Sequence, residues 1–428
     1  MKYIVKILFI FFLSSHSLAI DIEESIKSTI ENNSKVKIAI EKIEESKELI
    51  NYAIGSKLPK VTGTVSGTYS TADTTTTTSS TTPETLTDAY KLTISQNLYN
   101  AGINDLEIER SKILFNNELI YFKSTIQDLI LDAINGYLTV INYQKFLQAT
   151  QKNYDSVLKA FQETKTRFDL GSATLYDLQN AEASFAISTT NLFAAEQNIE
   201  ISKKSFERIV GLRPVDLVDI LKTETIISLN DIINRSMEDN LDLILISNDI
   251  KDKEILLLKE KKSKQPSLDI SASGVYSNGS RLEKGTETTS GSIDLTLTIP
   301  LFQKGQDDSN IRKYQSQLLQ SKMNLLDSQE DLKILISNRY KDFQINQSKM
   351  KSNLIIIRSI ETSINSLKAE YDIGTKTITD LINEEEKLLN ANVNFLNSKK
   401  DFILNYFILK SLDGGLIKLF EKYLPSFN

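Results

Sequence analysis

Residues 371–381 read YDIGTKTITDL, and residues 168–178 read FDLGSATLYDL. In each stretch a helical pattern runs in, a glycine interrupts it (Gly374, Gly171), and a second helical pattern begins a few residues later. Each also has a Thr followed three residues on by an Asp, Thr174/Asp177 and Thr377/Asp380, the spacing of a capping box at a helix start. The copies lie 203 residues apart, 374 against 171. The same step takes Leu98, Tyr99 and Gly102 to Leu301, Phe302 and Gly305, and Gly211 to Gly414. Solenoid repeats have periods of about 20–50 residues. This offset instead marks one large unit duplicated once, with repeats expected over 20–216 and 217–428.

Outward from the two turns, the pattern is one of sevens. Leu147, Tyr154, Phe161 and Phe168 lead into the first turn; Leu178, Phe185, Leu192, Ile199 and Phe206 leave it. Met350, Ile357, Ile364 and Tyr371 lead into the second; Leu381, Leu388, Phe395, Phe402 and Leu409 leave it. A strict seven-residue spacing of apolar side chains predicts coiled-coil packing. The incoming helices, from Asn104 to about Asp169 and from Gln306 to Tyr371, contain no Pro. At ~1.5 Å per residue each is about 100 Å long. A short turn between two such helices makes an antiparallel hairpin.

Before each long helix the period changes to two. Tyr90, Leu92, Ile94 and Leu98 alternate with polar residues, and Ile293, Leu295, Leu297, Ile299 and Leu301 do the same. Strands are expected near 58–70, 89–100, 267–277 and 291–302, and polar loops over 71–87 and 278–290. A strand of about ten residues matches a membrane-crossing barrel strand of ~9–11. Four strands cannot close a barrel, because the smallest need about eight. Other copies of the chain must therefore complete the sheet edges. Tyr69, Tyr90, Tyr99 and Tyr276 serve either as interfacial girdle anchors or as ordinary strand formers.

Composition narrows the chemistry. The chain has 428 residues, no Cys, no Trp and a single His, His16. The first 19 residues, MKYIVKILFIFFLSSHSLA, have the basic start, apolar run and small-residue end of a secretory signal peptide. Without His or Cys in the remainder, no Ser-His-Asp site, Cys nucleophile or His/Cys metal site can be built. No phosphate-cradling glycine loop is present either. An enzyme is not expected, nor a cofactor. Leaving out Lys2 and Lys6, 48 basic residues face 56 acidic ones, a net charge of about −8. That balance argues against a nucleic-acid partner. No apolar run of about 18 residues follows the signal segment, so the expected membrane-crossing element is a β-barrel.

The duplicated plan resembles the TolC-like outer membrane efflux proteins. The stretches that carry the resemblance are KLPKVTGTVSGTY, LTISQNLYNAG, RFDLGSATLYDLQNAEA, IVGLRP, KQPSLDISASGVY, LTLTIPLFQKG and EYDIGTKTITDLINEEEKLLNANVNFLNSKKDFI. The resemblance implies a mostly α protein with a membrane β-barrel part: a homotrimer sharing one twelve-stranded barrel above a periplasmic α-helical coiled-coil tunnel. It implies residence in the outer membrane, in contact with its lipid. It also implies work as an exit duct, joined through a periplasmic adaptor protein to an inner-membrane transporter. Cargo, small molecule or protein, is not readable. A non-channel reading, a periplasmic coiled-coil scaffold or adhesin, would explain the helices but not four membrane-length strands.

In that family the tip turns carry the gate. By resemblance, Tyr371 and Lys376 hold Tyr176 and Asp177 of the first hairpin, Asp380 rings the aperture, and Gly171 and Gly374 make the turns. Beside this stands the plain reading of Asp177 and Asp380 as helix caps. Two departures stand out: Lys376 where the family has Arg, which weakens the latch, and Asn383 where it has a second ring Asp, which leaves one acidic ring and argues against strong cation binding at the mouth. A Lys lacks the planar two-pronged guanidinium.

Overall fold

A computed structural model describes residues 20–71, 74–76, 79–81, 84–219, 228–281, 284–425 and 427. The expected signal peptide, 1–19, lies outside them. Element lengths repeat between the halves. Helices α1 (Ile22–Asn32) and α5 (Leu229–Asp239) have 11 residues each, and α2 (Ser34–Gly55) and α6 (Leu241–Lys262) have 22 each. Helices α3 (Ile103–Asp169) and α7 (Gln306–Asp372) have 67 each. Their second partners are α4 (Leu175–Val210) and α8 (Ile378–Leu412), with the short α9 (Gly415–Phe420) behind. No helix among the described residues is long and apolar enough to cross a membrane.

The chain divides into two compact units, and each takes matching segments from both halves. One comprises Ile38–Phe122 and Leu241–Glu330. The other comprises the described residues of Met1–Lys37, Lys123–Asn240 and Asp331–Asn428.

The first unit is built on an antiparallel sheet in the order β1-β4-β5-β6: β1 (Lys60–Thr71), β4 (Glu84–Tyr99), β5 (Ser267–Arg281) and β6 (Lys284–Thr298). Register sorts the side chains. Val61, Ile94, Ala272 and Ile293 lie in one row, and Val65, Tyr90, Tyr276 and Thr289 in another on the same face. The alternate rows are hydroxyl-rich: Thr62, Thr93, Ser273 and Ser292 share one. One face is thus an apolar band and the other a polar wall. The apolar residues are exposed, with Ile293 at 80%. Tyr90 and Tyr276 pair with ring centroids 6.3 Å apart. One row further along that face stand Asp88, Asn278 and Glu287, with Tyr69 and Leu86 beyond them.

The strands exceed the sequence expectation. β5 continues to Arg281, β6 begins at Lys284 and β4 at Glu84, all inside the segments expected as loops. Two three-residue strands, β2 (Thr74–Thr76) and β3 (Ser79–Thr81), pair within the expected 71–87 loop. Hydrophobic alternation locates only the part of a strand with an apolar face. The Thr-rich remainder has no such face, yet Thr is β-branched and favours extended pairing. Below the sheet, Lys57 pairs with Asp105 and Lys264 with Asp308, equivalent ties in the two halves.

In the second unit the sevens are buried or half-buried along their whole length. Ile357, Ile364 and Tyr371 are buried on α7, and Phe402 and Leu409 on α8. Phe161 stacks on Phe185 at 5.4 Å and Phe343 on Phe402 at 4.6 Å. Tyr137, fully buried on α3, packs against Phe206 of α4 and donates to the carbonyls of Ile20, at 3.0 Å, and Val218, at 2.7 Å. Burial pushes its phenol up to about 12. One hydroxyl therefore fastens both the start of the described chain and the segment between the repeats. Tyr137→Phe is expected to cost about 0.5–1.5 kcal/mol by removing these hydrogen bonds. A thermal melt unchanged from the parent would show that the hydroxyl holds nothing.

Candidate functional site

The site lies where the two hairpins turn. Gly171, with φ 75°, and Gly374, with φ 79°, adopt the left-handed conformation that glycine reaches without a Cβ clash. The amide of Ser172 donates to Arg167 O at 2.8 Å and that of Gly171 to Phe168 O at 2.9 Å. Thr375 to Glu370 O, at 2.9 Å, and Gly374 to Tyr371 O, at 3.0 Å, repeat the arrangement. Both are Schellman closures, which satisfy the last carbonyls of α3 and α7.

Each following helix opens on a complete capping box. Asp177 N–H donates to Thr174 Oγ1 at 3.1 Å, while Asp177 Oδ2 accepts from the Thr174 amide at 3.2 Å and hydroxyl at 2.7 Å. Asp380 and Thr377 make the same three bonds at 3.2, 3.0 and 2.9 Å. The Thr377 backbone amide, then its hydroxyl, hold the Asp380 carboxyl below its ordinary value, with Lys376 adding a smaller pull.

Of the five residues expected to form the gate, one bridges the hairpins. Tyr371 is 7% exposed and packs with Val157 and Ala160 of α3, Ala181 of α4, and Ile378 and Ile382 of α8. Burial raises its phenol; Arg167 opposes that, while Glu163, Asp372 and Asp177 add to it. Its hydroxyl has no hydrogen-bond partner among the described residues. The other four stay on their own hairpins. Tyr176 is 71% exposed. Lys376 is exposed and makes no hydrogen bond or ion pair with Tyr176 or Asp177 among the described residues. Asp177 and Asp380 are occupied as caps.

At the tip, a polar link between the hairpins comes from a residue that sequence reasoning did not single out. Arg167 of α3 places its guanidinium carbon 4.4 Å from the centre of the Tyr371 ring. Such a contact is worth about 0.5–2 kcal/mol, depending on desolvation. A signal for it exists in the repeat: RFDLG in the first copy becomes EYDIG in the second. The duplication is asymmetric at these two positions, placing a cation on one hairpin and a polar aromatic ring on the other.

A family model described as "Outer membrane efflux protein" matches residues 25–212, from α1 to the end of α4. The outer membrane protein TolC of Escherichia coli K12 is 22% identical over 314 residues, covering 69% of this chain and 63% of that protein. The alkaline protease secretion protein AprF of Pseudomonas aeruginosa is 20% identical over 308 residues, with the same shares. The matches thus span just under two thirds of these relatives' length. The crystal structure of the CmeC outer membrane channel of Campylobacter jejuni superposes with a TM-score of 0.74 at 18% identity, covering 94% of this chain and 90% of that one. The fold is that of the outer membrane channels. Over residues 25–212 the chain is similar to the outer membrane efflux proteins, and over nearly its whole length it shares their channel fold.

The Asp380 cap gives a pH test. Its carboxyl is depressed in the folded state, so its contribution is fully present above the ordinary Asp value of about 4 and fades as pH falls through the depressed folded value. The expected NMR titration midpoint of Asp380 lies below that of an exposed Asp, and Thr377→Val moves it up. A midpoint at the ordinary value in the parent would show that the cap does not bind the charged form.

Proposed function

We propose that this chain is the outer membrane exit duct of a tripartite efflux or type I secretion system. It passes substrate from an inner-membrane transporter, through a periplasmic adaptor, to the outside. The observation that carries the reading is the sheet: four antiparallel strands, an exposed apolar face, a hydroxyl-rich face, and two unpaired edges, β1 and β6. Three copies, each contributing both repeats (20–216 and 217–428), supply the twelve strands of one barrel. The hydroxyl-rich face then lines a watery lumen and the apolar face meets lipid. A second support is α7, where Leu319, Met323, Leu326 and Ile334 are exposed at helical spacing. A stripe of that kind suits packing against a neighbouring copy.

A scaffold or adhesin gives no reason for an exposed apolar sheet face. As to cargo, AprF is named for secretion of a protease and CmeC as an outer membrane channel; both cargo classes stay open to this chain.

In this reading the tip is a gate held by Tyr371 and Arg167, with Asp380 near the aperture and Tyr176, Asp177 and Lys376 beside it. The contacts are few and individually weak, so an adaptor that prefers the open arrangement can shift the population. Planar-bilayer recording tests this. Arg167→Ala with Tyr371→Ala is expected to raise single-channel conductance, and Asp380→Ala to reduce cation preference. Wild-type conductance in the double variant would remove the gate from these residues. No conductance from any variant would remove the channel reading itself.

A further inference from the structure

The two repeats differ in what covers them. Helix α2 maps onto α6 by a step of 207, from 34 to 241 and from 55 to 262. Helix α3 maps onto α7 by 203, from 103 to 306 and from 169 to 372. Where the repeats meet, α6 lies on α3. Arg110 Nε of α3 donates to Asp252 Oδ1 of α6 at 2.7 Å, and Lys259 Nζ of α6 donates to Glu107 Oε2 of α3 at 2.6 Å. Asn248 Nδ2 of α6 donates to Asn117 Oδ1 of α3 at 2.8 Å, and Asn248 and Asp252 are buried. The same two surfaces recur uncovered on α2 and α7. On α2 the equivalents of Asn248, Asp252 and Lys259 are Glu41, Glu45 and Tyr52, all exposed, Tyr52 at 83%. Ile38 and Leu49 beside them are exposed too, where their equivalents Leu245 and Leu256 are half-buried. On α7 the equivalents of Glu107, Arg110 and Asn117 are Asn310, Lys313 and Gln320. Lys313 and Gln320 are exposed, and Lys313 contacts Asn310, at 3.4 Å, and the Tyr314 ring of its own helix.

We propose that the open face of α2 packs on α7 of a second copy as α6 packs on α3, with Glu45 paired to the partner's Lys313, Glu41 to the partner's Gln320 and Tyr52 to the partner's Asn310. The residues at each position have changed between the repeats, yet every pair stays complementary. Arg110 with Asp252 becomes Lys313 with Glu45, a cation still facing a carboxylate. Asn117 with Asn248 becomes Gln320 with Glu41, an amide donor facing an acceptor. Glu107 with Lys259 becomes Asn310 with Tyr52, an amide facing a phenol. The sheet shows the same relation: β4 pairs with β5 between the repeats, while β6 and β1 keep open edges. Hydrocarbon is a poor occupant of this face, because Glu41 and Glu45 would lose their hydration without a partner. The two surfaces are unlike each other, so the contact runs head to tail and closes copies into a ring. Tyr52, Leu49 and Ile38 supply the apolar area, and the ion pair sets the register. The proposal rests on the reading of three copies around one barrel and names the helical contact that holds them.

Two measurements on the full-length protein test the contact. In the first, copies carrying Glu45→Cys and copies carrying Lys313→Cys are co-expressed, and outer membranes are treated with a short bismaleimide. The expected product is a covalent dimer that requires both variants. Lys322→Cys in place of Lys313→Cys should give none, because Lys322 faces Glu254 of its own α6. In the second, Lys313→Glu and Glu45→Lys are each expected to lower the temperature at which the detergent-purified trimer dissociates. The two together should recover most of that loss, which independent damage at either site would not do. A trimer that yields no Glu45–Lys313 product, or cross-links equally through Lys322, or loses stability additively in the double reversal, would overturn this contact and leave the barrel reading standing. A folded protein that is monomeric by native mass measurement would overturn both.

Discussion

An open sheet edge cannot be left in hydrocarbon. Every backbone amide and carbonyl at membrane depth needs a protein partner, and only helices and closed barrels provide one throughout. Here β1 and β6 each present one unpaired side, while the face they share is apolar and exposed. Together these make a single chain unsuited both to water and to lipid. Closure with further copies answers both demands at once, and the two-fold plan within each chain already supplies strands that alternate up and down, as antiparallel closure requires. The two families of elements are therefore coupled. In the proposed assembly the strands gain partners at both edges, and the exposed apolar side chains of the long helices gain neighbours to pack against.

At the tip the balance is different. Each hairpin end is satisfied locally, by a glycine closure on one helix and a capping box on the next. The carboxylates that the family pattern assigns to gating are thus already hydrogen-bonded within their own turns. What joins the hairpins is the Tyr371 ring, held by apolar packing and by Arg167 over its face. Packing of this kind tolerates separation better than a network of buried ion pairs, which leaves an uncompensated charge when broken. In the proposed gate, a contact built this way can open and reclose.

Much of this was legible in the sequence, and the misses have physical causes. Near the turns the sevens located side chains that are buried or half-buried, because burial of a repeating side chain is a local property of the pattern. Thr174/Asp177 and Thr377/Asp380 located the helix starts within a residue, because the cap is satisfied by neighbours in sequence. Strand ends were missed where the sequence is rich in Thr and Ser and lacks apolar alternation, as in β2 and β3 and in the upper parts of β4 to β6. The placement of Lys376 and Tyr176 was not legible, because a turn side chain's direction depends on the packed pair of hairpins. Arg167 was visible as an asymmetry between repeats but had no partner until the fold brought Tyr371 over it.

The central claim is that β1 of one copy pairs with β6 of another. The chain contains no Cys, so introduced thiols report without background. A cysteine at Thr64 on β1, combined in turn with one at Ser290, Ser292, Asp294 or Thr296 on β6, scans the register between polar faces. On mild oxidation in outer membranes, the account predicts a covalent trimer on denaturing gels in at least one register. Monomers alone, in every register, would contradict it.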